Sequence, residues 1–284
     1  MLSIKKYLSL ITFSHTIFAL PFACIGFVLA LRTGHTFSFK LFALVILCMV
    51  FARSAAMAFN RFIDRKFDAL NPRTAVREIP AGIIKPNNAL FFIIINCVLF
   101  VIATWFINSI CFYLSPVALF AVLFYSYTKR FTPLCHLVLG CGLGLAPIGS
   151  YLAVTGEFAW LPLLFSFTVF CWVSGFDIIY ALQDEAFDRA NNLKSIPVLL
   201  GTKRALRASE ALHFFAFTLI ITAGDVGKFN WLYWIGVAFF SSLLIYQHTL
   251  VKPTDLSKVN RAFFTTNGIA SVLFAAFTIV SLYL

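Results

Sequence analysis

The sequence predicts an all-α integral membrane protein: nine transmembrane helices around a central cavity, N-terminus inside and C-terminus outside, with cytoplasmic capping loops. Three observations carry that prediction. Of 284 residues, 61% are hydrophobic and only 12% are charged, with a mean hydropathy of +0.92; a soluble chain carries about twice that charge. The apolar residues form successive runs, each near the length that crosses about 30 Å of hydrocarbon. The Lys and Arg residues collect in alternate connections between those runs.

The elements follow in order. The first span, roughly 10–32, comes after Lys5 and Lys6 and is expected to stay as an anchor, because no signal-peptide cleavage pattern accompanies it. The second covers 38–61. The third and fourth, 88–108 and 110–128, are separated only by Asn108, Ser109 and their neighbours. The fifth, 132–154, contains Gly140, Gly142 and Gly144, which in an apolar span point to close helix packing rather than nucleotide binding. The sixth is 160–183, the seventh 207–224 and the eighth 229–249. The ninth, 262–284, includes Asn267, whose side chain is expected to bond to a neighbouring helix.

Orientation comes from the cations. Arg32, Lys40 and Lys228 fall on one side, and Arg53 lies within the second span. Every other Lys and Arg falls on the opposite side, which the positive-inside rule makes cytoplasmic. The two longest connections, about 62–87 and 184–206, are both on that side and each carries Pro or Gly with several basic residues. They read as short amphipathic segments capping one cavity. A single domain is expected over 1–284.

Several function classes drop out. The net charge of +11 does not mark a nucleic-acid binder, because the basic residues sit in loops between apolar runs. The seven cysteines lie inside apolar segments without a CxxC pair and read as small buried hydrophobes. His15 reads as a packed histidine. No phosphate loop, Ser/His/Asp set or zinc spacing is present. The 35 Phe residues suit lipid contact, helix packing and an apolar cavity.

Against this apolar background stand two acidic clusters. The chain has only 11 acidic residues, and Asp64, Asp68, Asp177, Asp184 and Asp188 fall in two short stretches about 120 residues apart. That repetition hints at an internal pseudo-repeat. In a helix, steps of four place Asn60, Asp64 and Asp68 on one stripe, and Asp184 and Asp188 on another, with Asp177 and Tyr180 near it. Carboxylates and carboxamides stacked beside cations suit hard divalent ions that grip a phosphate ester. Asn60, Asp64 and Asp68 would hold one Mg²⁺, and Asp184 and Asp188 a second. Arg73, Arg77, Lys129, Arg130 and Lys194 would complete neutralisation of a diphosphate. A lipid tail on that diphosphate would lie among Phe and Leu.

Arg53 stands apart, seven residues before Asn60, nearly on the same face and about 10 Å deeper. A guanidinium there needs a partner. Two readings stay open: an ion pair or backbone carbonyls, or the carboxylate of an aromatic acceptor. Asp177 and Tyr180 join Arg53 as candidate acceptor-binding residues.

These motifs resemble those of the UbiA superfamily of intramembrane prenyltransferases over nearly the full chain. That family's first motif, NDxxDxxxD, is met by Asn60, Asp64 and Asp68, and its second, DxxYAxxDxxxD, by Asp177, Tyr180, Ala181, Asp184 and Asp188. Tyr127, Lys129 and Arg130 match the family's basic pair after the fourth helix; Lys194, Ser195 and Gly201 also fit. Arg61 departs from the pattern, standing where the family often has Asp. The stretches from His15 to Phe22 and from Ala52 to Arg61 resemble the 4-hydroxybenzoate polyprenyltransferase-like branch, some of which serves the futalosine route to menaquinone. The resemblance implies Mg²⁺-assisted loss of diphosphate from a polyprenyl diphosphate, attack of an electron-rich ring carbon of an aromatic carboxylate on the allylic cation, and proton loss. It implies two Mg²⁺, lipid surroundings and no obligate protein partner. The absence of a transit-peptide pattern points to a bacterial inner membrane. An acceptor such as haem, chlorophyllide or a lipid is the alternative within the superfamily. A transporter is the competing class, but the acidic residues gather at one surface rather than at mid-membrane.

Overall fold

The computed structural model describes residues 2–11 and 18–284, and among these the chain is helical throughout its regular elements. The twelve α-helices are α1 (Leu2–Leu10), α2 (Leu20–Leu31), α3 (Phe39–Leu70), α4 (Pro86–Trp105), α5 (Ser109–Thr128), α6 (Cys135–Thr155), α7 (Trp160–Ala181), α8 (Glu185–Ala190), α9 (Ile196–Leu200), α10 (Thr202–Val226), α11 (Trp231–Leu250) and α12 (Asn267–Ser281). A 3-10 turn, Leu182–Asp184, joins α7 to α8, and a π-helical turn, Arg261–Thr266, leads into α12.

Local chemistry sets the boundaries. Ser38 starts α3 by accepting from the Leu41 N–H at 3.3 Å, and Asn108 starts α5 by accepting from the Cys111 N–H at 2.9 Å. Pro21 and Pro86 sit in first turns, where a missing N–H costs nothing. Gly156 ends α6 in the left-handed region, at φ 70°.

Among the described residues, seven helices are long and apolar enough to cross a membrane. Nine were expected. Of the first expected span, residues 12–17 and with them His15 lie outside the described residues, leaving the shorter Leu20–Leu31. The eighth corresponds to α11, which is 20 residues long but carries Ser241, Ser242, Gln247 and His248. The second expected span also ends too early. Helix α3 continues from 61 to Leu70, because residues 61–70 contain no Gly or Pro and ion pairs hold Arg61, Asp64 and Asp68. The first third of the 62–87 connection, through Leu70, is therefore helix.

Packing differs between the two halves. Phe22, Phe165, Trp172, Phe176, Phe240 and Phe274, from α2, α7, α11 and α12, form a closed aromatic core. Trp172 donates from its indole to Asn267 Oδ1 at 2.9 Å. In the other half, α3, α4, α5 and α6 line a cavity of about 400 Å³ with mainly apolar walls. Small residues let α6 meet α7: a Cβ on Gly140 would stand 2.6 Å from the Phe170 carbonyl oxygen, and one on Gly144 would stand 2.9 Å from that of Ser166.

Candidate functional site

The two acidic clusters face one another across a second cavity, of about 430 Å³. The uninterrupted α3 delivers Asn60, Asp64 and Asp68. Helix α7, the 3-10 turn and α8 deliver Asp177, Tyr180, Asp184 and Asp188. The turns after α3 add Arg73 and Arg77, and the end of α5 adds Lys129.

Each of three carboxylates is gripped by cations from another element. Asp64, 2% exposed, accepts from Lys129 Nζ at 2.9 Å and from Arg130 at 3.0 Å, while Asn60 donates to it at 3.3 Å. Asp68 accepts from Arg77 at 2.8 Å through Oδ1. Asp184 accepts from Arg73 through both oxygens, one of them at 3.0 Å, and from Asn71 at 3.1 Å. Arg73 also donates to the Tyr180 hydroxyl at 3.1 Å. Burial works against the Arg73 charge, but the bonds to Asp184 and Tyr180 prevail and raise its pKa above the ordinary arginine value.

Two of the expected cations lie elsewhere. Arg130 stands behind Asp64 and also donates to the Ile63 and Ser126 carbonyls. Lys194 stays outside the cavity wall, its ammonium donating to the Phe131 carbonyl at 3.2 Å and its N–H to the Lys129 carbonyl at 2.6 Å. Arg61 lines the cavity and reaches Glu78 at 3.5 Å; Ser9 donates to the same Glu78. That ion pair ties α3 to the turns above it, at the position where the motif departs from its family pattern.

Arg53 lies where the two cavities meet. It lines both, as do Met57, Tyr125, Leu139 and Leu143. Its buried Nε has no hydrogen-bond partner, and no described acidic residue pairs with it.

Oxygen donors of the acidic residues fit a hard divalent ion. The buried Asp68 Oδ2 has no protein partner. Among the described residues, no group of three or more His, Cys, Asp or Glu side chains forms a ready-made cage. That suits Mg²⁺, which takes one or two carboxylates and fills its shell with water and phosphate oxygens.

Sequence reasoning missed His136 and Asn71. His136, 3% exposed, contacts Asp177 at 2.7 Å through Nδ1, and its Nε2 accepts from the Ile196 N–H at 3.4 Å. Its signal was a lone histidine at the polar end of an apolar run, six residues after the basic pair. Asn71 stands three residues after Asp68 at the helix exit, and only the fold brings it to Asp184.

The chain is similar to known proteins over most of its length. The profile of the UbiA prenyltransferase family matches residues 19–269. A protein of Tolumonas auensis named 4-hydroxybenzoate octaprenyltransferase is 29% identical over 84% of this chain and 83% of its own length. The apo structure of a UbiA homolog from Aeropyrum pernix K1 has a TM-score of 0.85 and 34% identity, covering 94% of this chain and 97% of that one. A UbiA homolog from Archaeoglobus fulgidus bound to GPP and Mg²⁺ shares the fold, with a TM-score of 0.75 at 22% identity over 98% of this chain and 100% of that one. With its apolar spanning helices and this matched sequence, the chain is an integral membrane protein of the UbiA prenyltransferase family, and it is a prenyltransferase.

Proposed function

We propose that this protein transfers a polyprenyl chain from a polyprenyl diphosphate to a ring carbon of an aromatic carboxylate of the 4-hydroxybenzoate type, for quinone biosynthesis. The carrying observation is the junction at Arg53: a cation with an unpartnered Nε stands between a charged cavity and an apolar one. The named activity of the Tolumonas relative supports the acceptor class.

In this reading Asn60, Asp64 and Asp68 hold one Mg²⁺, and Asp184 and Asp188 a second. Bound there, the ions would neutralise the diphosphate and ease its departure. Arg73, Arg77 and Lys129 exchange their carboxylate partners for phosphate oxygens as the diphosphate enters; Arg130 supports Asp64 from behind, and Lys194 secures the cavity rim. The prenyl tail lies in the apolar cavity, excluding water from the allylic cation. Arg53 binds the acceptor carboxylate and so aims the ring at that cation, with Tyr180 lining the same cavity. The whole chain, 1–284, acts as one domain of nine spans, N-in/C-out. Its charged cavity opens to the cytoplasm at a bacterial inner membrane, without an obligate protein partner.

The test is a product assay on membranes containing the protein, with Mg²⁺, a prenyl diphosphate, 4-hydroxybenzoate and a futalosine-route naphthoate, read by mass spectrometry of extracted lipid. Prenylated 4-hydroxybenzoate is expected. Prenylation of the naphthoate alone moves the protein to menaquinone synthesis, and no aromatic product overturns the acceptor class.

A further inference from the structure

Prenylation of an aromatic ring ends with loss of a ring proton, and none of the roles above accounts for it. Asp64, Asp68 and Asp184 are each held by Arg or Lys. Asp177 lines the same cavity but is paired with an imidazole instead, at 2.7 Å. The pair is built asymmetrically: the His136 side chain is 3% exposed and that of Asp177 is 22% exposed. One Asp177 oxygen takes the histidine, and the carboxylate still reaches the cavity.

The imidazole is fixed from both sides. Its Nε2 accepts from the Ile196 N–H, so Nδ1 carries the proton and donates to Asp177. Ile196 opens α9, whose start is capped by Ser195 accepting from the Val198 N–H at 3.3 Å. The second cytoplasmic connection thereby orients a side chain one level below the charged rim.

Depth along the helices sets Asp177 below the charged rim. It precedes Asp184 by seven residues, about 10–12 Å along the end of α7 and the 3-10 turn that follows. Arg53 precedes Asp64 by eleven, about 16 Å along α3. A ring whose carboxylate rests on Arg53, and whose nucleophilic carbon reaches toward the diphosphate, passes the level of Asp177.

We propose that Asp177 is the proton acceptor of the reaction and that His136 is the residue that positions it; this rests on the function proposed above. As the bond between the allylic carbon and the diphosphate oxygen breaks, the diphosphate leaves with the electron pair. A π pair of the ring forms the new carbon–carbon bond. The ring hydrogen on that carbon then passes as a proton to the free Asp177 oxygen, and the C–H pair restores aromaticity. The His136 N–H holds the carboxylate in place and keeps its other oxygen facing the ring.

The test uses the full chain with Mg²⁺, a prenyl diphosphate and 4-hydroxybenzoate, unlabelled or deuterated at both positions ortho to the hydroxyl. If the naphthoate is the substrate, its reacting position is deuterated instead. Wild type is expected to show no isotope effect, because ionisation is slow and proton loss follows it. Asp177→Asn is expected to lose at least ~100-fold in kcat, the scale of a general base, to acquire a deuterium isotope effect, and to bind prenyl diphosphate as wild type does. His136→Ala is expected to show a smaller loss with the same isotope effect. His136→Asn, which restores an N–H near the Nδ1 position, is expected to recover most of the rate. Wild-type turnover in Asp177→Asn, a rate loss without an isotope effect, or parallel loss of prenyl diphosphate binding in Asp177→Asn and His136→Ala each overturns the proposal. A wild type that prenylates neither acid overturns the acceptor reading, and this proposal with it.

Discussion

Arg73 and Asp184 join the two halves of the charged cavity: the guanidinium donates through Nε at 3.0 Å and through Nη2 to the two oxygens of one carboxylate. The pair links the exit of α3 to the turn after α7, and Asn71 supports it from the same exit. A planar fork matched to a carboxylate is also matched to a phosphate. Arg73→Lys keeps the charge and loses the fork. Its expected effect is a roughly 10- to 100-fold fall in kcat/KM for the prenyl diphosphate, the order of one lost charge-assisted contact. The unfolding temperature should barely move, because a partly exposed ion pair contributes about 0–1 kcal/mol. Steady-state kinetics and thermal unfolding in one detergent measure both.

Asp64 and Asp184 carry the proposed metal reading most directly. Asp64→Ala and Asp184→Ala should each abolish product formation while the far-ultraviolet circular dichroism stays helical. The cations they release, Lys129 and Arg130 in one case and Arg73 in the other, are partly exposed and can rehydrate. Chelation of divalent ions should silence the wild type, and added Mg²⁺ should restore it. Full activity in both variants, with Mg²⁺ still required, would overturn the ligand assignment.

The contact between α6 and α7 gives a prediction about stability alone. A Cβ on Gly140 would sit 2.6 Å from the Phe170 carbonyl oxygen and 2.2 Å from the Ser174 hydroxyl, whereas one on Gly149 meets nothing within 4 Å. Gly140→Ala should therefore destabilise by about 1–3 kcal/mol, the usual cost of overpacking. Gly149→Ala should leave the unfolding midpoint unchanged or slightly raised. Thermal unfolding of the two variants side by side separates crowding from any general effect of alanine.

How far the sequence reached depends on the range of the interaction. Apolar periodicity and the spacing of Asn60, Asp64 and Asp68 are local, so helix and stripe were both readable. The end of α3 was not, because residues 61–70 remain helical under ion pairs supplied by Arg77 and Lys129, which no local pattern reveals. The same holds for partners. Arg73 and Lys129 were recognisable as cavity cations by type, but their specific carboxylates were not. Lys194 looked equivalent to them on charge, yet it is turned aside by the Phe131 carbonyl. His136 was hidden because one histidine in an apolar run carries no pattern; only Asp177, 41 positions away, gives it meaning.

In the proposed reading, Arg53 separates the substrates. It stands at the boundary of the two cavities, distant along α3 from the carboxylates that would hold metal and diphosphate. Its loss should therefore leave diphosphate binding intact and weaken the acceptor. Truncating one partner of a buried charge contact costs about 2–5 kcal/mol, so Arg53→Ala should raise the acceptor KM by roughly 30-fold or more. The KM for prenyl diphosphate should stay within about twofold, inside the experimental scatter on this free-energy scale. Arg53→Lys should recover part of the affinity, because it restores the charge without the two-pronged geometry. An acceptor lacking the carboxylate should be insensitive to both substitutions. If both substrates weaken together, Arg53 braces α3 rather than binding a carboxylate, and the acceptor must then be recognised by Tyr180 and Asp177 alone.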